Sequence, residues 1–144
     1  MIYTDITKAA MILAYRAHIG KTDKYGIPYI YHPAHVAEQM RTEEETAAAL
    51  LHDVVEDTKV TLEQLTDAGF SPTIVEAVRL LTHEDGVEYM DYVSRLKDNT
   101  IARAVKMADL KHNSDTARID GEMSATDHQR LKKYDQAREL LLKQ

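Results

Sequence analysis

The sequence predicts an all-α fold, a bundle of about seven or eight helices, and three observations carry that expectation. Five glycines and three prolines in 144 residues, with one phenylalanine and no tryptophan, suit helices better than sheets. Apolar residues recur three and four positions apart along most of the chain. Several of these stretches open with a hydroxyl or amide residue of the kind that caps a helix.

Ile6, Ala9, Ala10, Leu13 and Ala17 form one face of a first helix, with Thr4 or Asp5 at its start. Periodicity lapses from 19 to 31, where Gly20, Gly26 and Pro28 mark a loop with room for a short hairpin near residues 20–31. Pro33 suits the first position of a second helix reaching Met40, with His32 as its N-cap, because a residue before proline avoids the α region. Thr42 and Glu45 read as a capping box for a third helix running to about Val55. Thr61 and Gln64 repeat the device for a short fourth helix that Gly69 stops.

Ser71-Pro72 opens a fifth helix with Ile74, Val75, Val78 and Leu81 on its buried side. Gly86 separates it from a sixth, Glu88 to Leu96. Asn99 caps a seventh, in which Ile101, Ala104, Val105 and Ala108 recur, and a last helix fills Ala125 to Leu142. Residues 116–123 lack helical periodicity. No repeat, low-complexity tract or linker divides the chain, so residues 1–144 read as a single domain.

Composition narrows the function classes. No apolar run approaches the roughly 18–20 residues that span a membrane, and no secretory leader pattern opens the sequence, so a cytoplasmic location is expected. The absence of cysteine removes disulfides and thiolate metal sites. A formal charge of −6 argues against nucleic-acid duplexes as partners, whereas a small anion remains compatible if a bound cation inverts the local field. Periodicity does not separate core from interface, so the oligomeric state stays open, a homodimer included.

His52-Asp53-Val54-Val55-Glu56-Asp57-Thr58 is the densest chemical feature. A histidine beside an aspartate offers nitrogen and oxygen donors to a divalent cation, and Glu56 and Asp57 follow one helical turn later. A solvated helix end is the plainer reading, but three acids at a helix C-terminus oppose its macrodipole, and Ala47–Leu51 before them are apolar. His32 lies upstream within Pro28-Tyr29-Ile30-Tyr31-His32-Pro33. Asp109 lies downstream within the apolar Val105-Lys106-Met107-Ala108-Asp109-Leu110, where a carboxylate needs a cation or an ion pair to Lys106 or Arg103. His18 and His35 read as structural or supporting groups, and His83, His112 and His128 form no pattern.

Taken in order, Pro28–Pro33, Ala49–Thr58 and Val105–Asp109 with Asn113 resemble the HD phosphohydrolase superfamily. They are most similar to the hydrolase half of RelA/SpoT-type alarmone enzymes and to the small alarmone hydrolases. The resemblance implies that His32, His52, Asp53 and Asp109 ligate a divalent metal, typically Mn²⁺, and that Glu56 and Asp57 are the catalytic pair. It also implies nucleotide contacts from Asn113 and Thr116, while Lys24, Lys21 and Tyr29 are candidates for the phosphates or base. One position departs: where those hydrolases carry an arginine that stacks on guanine, this chain has Asp23, which offers no cationic plane.

The expected activity is hydrolysis of guanosine tetra- or pentaphosphate, releasing pyrophosphate from the 3′ position by direct attack of a cation-activated water. Two alternatives share the site: an HD-type hydrolase of another nucleotide that releases orthophosphate, and a non-catalytic nucleotide-binding domain.

Overall fold

A computed structural model describes residues 1–143, and among the described residues the regular elements are all helices, joined by turns and loops, with one isolated antiparallel bridge between Thr22 and Pro28. Thr4 accepts a hydrogen bond from the Thr7 amide and opens α1 (Asp5–Ala17). The loop after it closes as the expected hairpin: the Asp23 amide donates to the Ile27 carbonyl at 2.8 Å and the Tyr29 amide to the Lys21 carbonyl at 2.8 Å. Gly26, at φ +83°, takes the left-handed turn conformation that this reversal requires.

The second helix differs from expectation. α2 spans Tyr31–Glu38, with Pro33 as its third residue and His32 inside the first turn rather than capping it. First-turn amides have no intrahelical partner, so a proline there forfeits no hydrogen bond. The turn is already wound by amide donations from Tyr31 to Pro28 (3.1 Å) and from His32 to Tyr29 (3.0 Å).

The third helix also differs, at the most informative place in the chain. α3 (Glu43–Leu51) ends at Leu51, and α4 (Val54–Asp57) resumes after a turn at His52-Asp53. The His52 side chain explains the break: its Nδ1 lies 2.5 Å from the Ala49 carbonyl, the acceptor that a continuing helix would offer to the Asp53 amide. Thr42 does cap α3, but the Glu45 carboxylate reaches the Arg41 amide at 3.0 Å instead of the Thr42 amide, so the reciprocal box is not closed.

The expected caps at Thr61, Ser71 and Asn99 are present, while Glu88, expected inside its helix, and Ser124 serve as caps that the sequence reading does not single out. Thr61 and Gln64 form a closed box at α5 (Leu62–Asp67), and Gly69 ends it at φ +97°. Ser71 caps α6 (Pro72–Leu81), Glu88 caps α7 (Tyr89–Ser94), and Asn99 caps α8 (Thr100–Asn113). A 3-10 turn, Thr116–Arg118, precedes α9 (Ala125–Leu142), which Ser124 and Asp127 box together.

α3 is the hub, packed against α1, α2, α6 and α8. Ala47, Ala48 and Ala49 are fully buried, and their small side chains let neighbouring helices close in. Leu50, Leu51, Val36, Val54, Val78, Val105 and Leu110 fill the surrounding core, each such side chain contributing about 1.5–3 kcal/mol by leaving water. On α6 the buried set is Ile74, Ala77, Val78 and Leu81, with Val75 only half-buried. On α8 the buried stripe is Ala102, Val105, Lys106, Asp109 and Leu110, rotated from the expected face of Ile101, Ala104, Val105 and Ala108. Two charged residues belong to that stripe, so hydrophobicity alone misplaces it.

Candidate metal centre

Three helical segments bring four side chains to one point. α2 supplies His32, the turn after α3 supplies His52 and Asp53, and α8 supplies Asp109. Asp109 Oδ1 lies 2.9 Å from His32 Nε2 and 3.5 Å from His52 Nε2. Asp53 Oδ2 lies 3.0 Å from His52 Nε2 and 3.7 Å from His32 Nε2. Ligand atoms of His32, His52 and Asp109 fall within 4.8 Å of one another, a spacing at which one cation can take all three. Asp53 stands at the solvent edge of the group, its side chain 17% exposed. The helix break at His52 matters here, because adjacent residues on a continuous helix would diverge by about 100°.

Each of the four side chains is aimed by a partner outside the group. His52 Nδ1 is bound to the Ala49 carbonyl, which keeps a proton on Nδ1 and leaves Nε2 as the nitrogen that takes either a second proton or a cation. That Nε2 is buried and has no hydrogen-bond partner among the described residues. An orphaned imidazole nitrogen facing two carboxylates is what a cation site built from nitrogen and oxygen donors presents. The Tyr29 hydroxyl donates to Asp53 Oδ2 at 2.6 Å. Asn113 Nδ2 donates to Asp109 Oδ1 at 3.0 Å, and Lys106 Nζ donates to Asp109 Oδ2 at 2.9 Å. His32 Nδ1 lies 2.7 Å from His112 Nδ1.

The electrostatics favour positive charge at the centre. Burial works against a charged His52, yet Asp53 and Asp109 raise it well above the ordinary histidine range. Burial likewise opposes ionisation of Asp109, but Lys106, His32 and His52 hold it well below the usual carboxylate range. A proton or a divalent cation satisfies the same field. Lys106 is itself buried, 5.5 and 5.2 Å from the ring centres of Tyr89 and Tyr92. The ion pair expected as the alternative to metal ligation is therefore present together with the cluster: Lys106 takes one oxygen of Asp109 and the imidazoles face the other.

Glu56 and Asp57 occupy α4, on the rim beside Asp53. Both reach solvent. Glu56 Oε1 accepts from the His83 amide at 2.6 Å, and the Asp57 carbonyl accepts from Lys21 Nζ. Partial burial, with Asp53 and Glu56 nearby, pushes the Asp57 carboxyl up to about 6.

Two cavities adjoin the cluster on its other flank. The larger, 770 Å³, is walled by Tyr25, Tyr31, His32, His35, His112 and Arg118 among others. The smaller, 330 Å³, has Lys24, Tyr29, Asn113, Arg118, Arg130 and Tyr134 in its wall. Lys24 is paired there with Asp127 of α9 at 3.0 Å. Asp23 holds the hairpin, accepting from the Tyr25 and Ile27 amides at 2.8 and 3.0 Å. Thr116 is exposed and lines neither cavity.

Sequence reasoning missed three residues at this site. Lys106, three positions before Asp109, was weighed only as an alternative to metal. His112, three positions after it, shares the α8 face with Asp109 and Asn113, a spacing that could have flagged it. Arg118 donates to the His112 carbonyl (2.9 Å) and to Asn113 Oδ1 (3.2 Å), and its Nη2 is 3.8 Å from Asp23 Oδ2. Only tertiary structure brings it there.

Known proteins agree with this architecture. The chain is 42% identical over 104 residues to a guanosine-3′,5′-bis(diphosphate) 3′-pyrophosphohydrolase of Vibrio cholerae, covering 69% of this chain and 14% of that protein. It is 32% identical over 124 residues to the bifunctional (p)ppGpp synthase/hydrolase SpoT of Escherichia coli K12, covering 76% and 18% respectively. The chain thus spans less than a fifth of the length of these curated relatives. A solved structure of a metazoan ortholog of SpoT, described as hydrolysing ppGpp, superposes with a TM-score of 0.78 at 21% identity, covering 99% of this chain and 88% of that one, and so shares the fold. Residues 10–142, the span from within α1 to the last turn of α9 that encloses all four clustered side chains, match the HD domain family, and the chain belongs to it.

Proposed function

We propose that the protein is a metal-dependent phosphohydrolase that removes pyrophosphate from the 3′ position of guanosine tetra- or pentaphosphate. The convergence of His32, His52, Asp53 and Asp109 around an orphaned, buried His52 Nε2 carries the reading. The names of the Vibrio and Escherichia relatives supply the substrate and the scissile bond.

In this reading the four side chains hold one divalent ion, with Mn²⁺ favoured, since no sulfur ligand is available and the donors are imidazole and carboxylate. When bound, such an ion supplies Lewis acidity toward a phosphoryl oxygen and acidifies water. Glu56 and Asp57 orient that water and take its proton. An Asp57 carboxyl near 6 is ionised at neutral pH yet close enough in basicity to serve as the acceptor. Attack by water is taken as direct: the chain has no cysteine, and this reading commits the imidazoles and carboxylates of the centre to the cation and Glu56 and Asp57 to the water.

The nucleotide is read as lying in the adjoining cavities. Lys24, Arg118 and Arg130 are the phosphate-binding candidates in the smaller cavity, whose wall also carries Asp23, Asp115 and Asp127; a phosphate would have to displace Asp127 from Lys24 and Arg130 and Asp23 from Arg118. Tyr29 and Asn113 serve this site mainly by aiming Asp53 and Asp109, while also walling that cavity. Lys21 stays near the rim through the Asp57 carbonyl, and Thr116 contributes at most from outside the cavity walls.

A second reading keeps the centre and changes the nucleotide, and Asp23 favours it, since the hairpin presents a carboxylate engaged in its own turn. A ³¹P NMR screen of nucleotides with Mn²⁺ added and then chelated separates the readings. Pyrophosphate from guanosine tetraphosphate, lost on chelation, is expected; orthophosphate from another nucleotide supports the second reading. Glu56→Gln should lower kcat by about 10²–10⁴-fold while Mn²⁺ binding stays intact. Full activity in Asp53→Ala with metal still bound would end the mechanism.

A further inference from the structure

We propose that His112 is the positioning residue for His32: its bare Nδ1 accepts the His32 Nδ1 proton and thereby fixes the tautomer that leaves His32 Nε2 free to bind a cation. The inference rests on the cation site proposed above.

The two Nδ1 atoms are 2.7 Å apart, a hydrogen-bond distance. Two imidazole nitrogens at that distance need one proton between them, carried by one ring and accepted by the other. The ring planes differ by 10° and their centres are 5.0 Å apart. That separation is close to the nitrogen–nitrogen distance plus the two ring radii, so the rings meet edge to edge in nearly one plane. The lone pair of either nitrogen then lies along the contact, as a true hydrogen bond requires.

The far side of His32 decides which ring carries the proton. Its Nε2 points into the cluster, 2.9 Å from Asp109 Oδ1 and 3.7 Å from Asp53 Oδ2. A cation held there takes the Nε2 lone pair, which leaves the proton on Nδ1 and makes His112 Nδ1 the acceptor. His112 must then carry its own proton on Nε2.

His112 is fixed well enough for this role. It sits on α8 one turn beyond Asp109, so one rigid helix supplies a ligand and the support of a second ligand. His35 stacks on its face, with ring centres 4.1 Å apart and planes 25° apart. Its backbone carbonyl accepts from Arg118 Nη1 at 2.9 Å. The two histidines of the cluster are therefore supported differently, His52 by a main-chain carbonyl and His32 by a side chain that mutation can remove.

His112→Phe keeps an aromatic ring but removes the acceptor, and His112→Asn returns an acceptor near the Nδ1 position. By calorimetric titration of the metal-free protein with Mn²⁺, His112→Phe is expected to bind about 10–100-fold more weakly, and His112→Asn to recover most of the loss. In the Zn²⁺-loaded wild type, two-bond ¹H–¹⁵N spectra should show His32 protonated at Nδ1 and His112 protonated only at Nε2, a result independent of whether His112→Phe folds. Wild-type Mn²⁺ affinity in a folded His112→Phe, or a proton on His112 Nδ1, overturns the assignment. Failure of the wild type to bind Mn²⁺ or Zn²⁺ overturns the cation site itself, and this inference with it.

Discussion

The buried end of the site and its mouth are assembled on different terms. At the buried end, His52, His32 and Asp109 are at most 6% exposed, and each is aimed by a partner on a neighbouring turn or a packed helix: the Ala49 carbonyl, His112, Asn113 and Lys106. At the mouth, Lys24, Asp23 and Arg118 keep between a fifth and a half of their side chains in solvent. Their partners come from the hairpin, the 3-10 segment and α9, far apart in sequence. Where water is excluded, an unpaired polar group is costly and residue type nearly dictates use. Where water competes, several pairings are close in free energy and the tertiary arrangement chooses among them.

The largest expected effect probes the buried end. Lys106→Met removes the only lysine or arginine that contacts Asp109 among the described residues and leaves a buried carboxylate facing two imidazoles. The metal-free protein should lose about 3–5 kcal/mol in urea unfolding. Saturating Mn²⁺ should restore part of that, because a bound cation supplies the missing charge and binds only the folded state. An equal loss with and without Mn²⁺ would mean that Lys106 stabilises the fold alone, with no electrostatic link to the centre.

The same contrast explains what could be read from the sequence. The helix starts at Thr4, Thr61, Ser71 and Asn99 were legible because a cap is a local device: each accepts from an amide three residues on. The break at His52 was not, because it depends on which acceptor a ring nitrogen chooses. The α8 face was misplaced because Lys106 and Asp109 are buried as a pair, which hydrophobic periodicity scores as surface. His32, His52, Asp53 and Asp109 were named together only through their surrounding motifs; no spacing rule places residues 32 and 109 side by side. Arg118, brought to Asp23 by chain reversal after α8, left no local trace at all.

A smaller effect tests the boundary between the two regions. Tyr29 lines both cavities, yet its hydroxyl is given to Asp53. If that hydrogen bond serves the centre, Tyr29→Phe should weaken Mn²⁺ binding by about tenfold and leave KM at saturating Mn²⁺ nearly unchanged. A raised KM with unchanged Mn²⁺ affinity would move Tyr29 to the mouth as a substrate contact.

The smallest effect lies wholly at the mouth, where Asp127 both closes the capping box of α9 and holds Lys24. The Ser124 amide and Lys24 together bring its carboxyl down to about 2, below the ordinary value near 3.8. A depressed folded value means that the unfolded chain binds the proton more readily, so stability rises with pH across that window. The contribution is complete above about pH 4 and disappears as pH falls through about 2. Asp127→Asn should therefore melt below wild type at pH 6, with the gap in Tm closing between pH 4 and pH 2. Because every other carboxylate titrates in both proteins, the difference between them isolates Asp127. Making the same comparison in a Lys24→Met background apportions the gap: whatever vanishes belongs to the ion pair that a substrate phosphate would have to displace, and whatever survives belongs to the Ser124 cap together with Arg130, whose Nη1 is 3.7 Å from Asp127 Oδ1. A gap that stays constant down to pH 2 would show that Asp127 carries no charge-dependent contact, leaving Lys24 free to face the cavity.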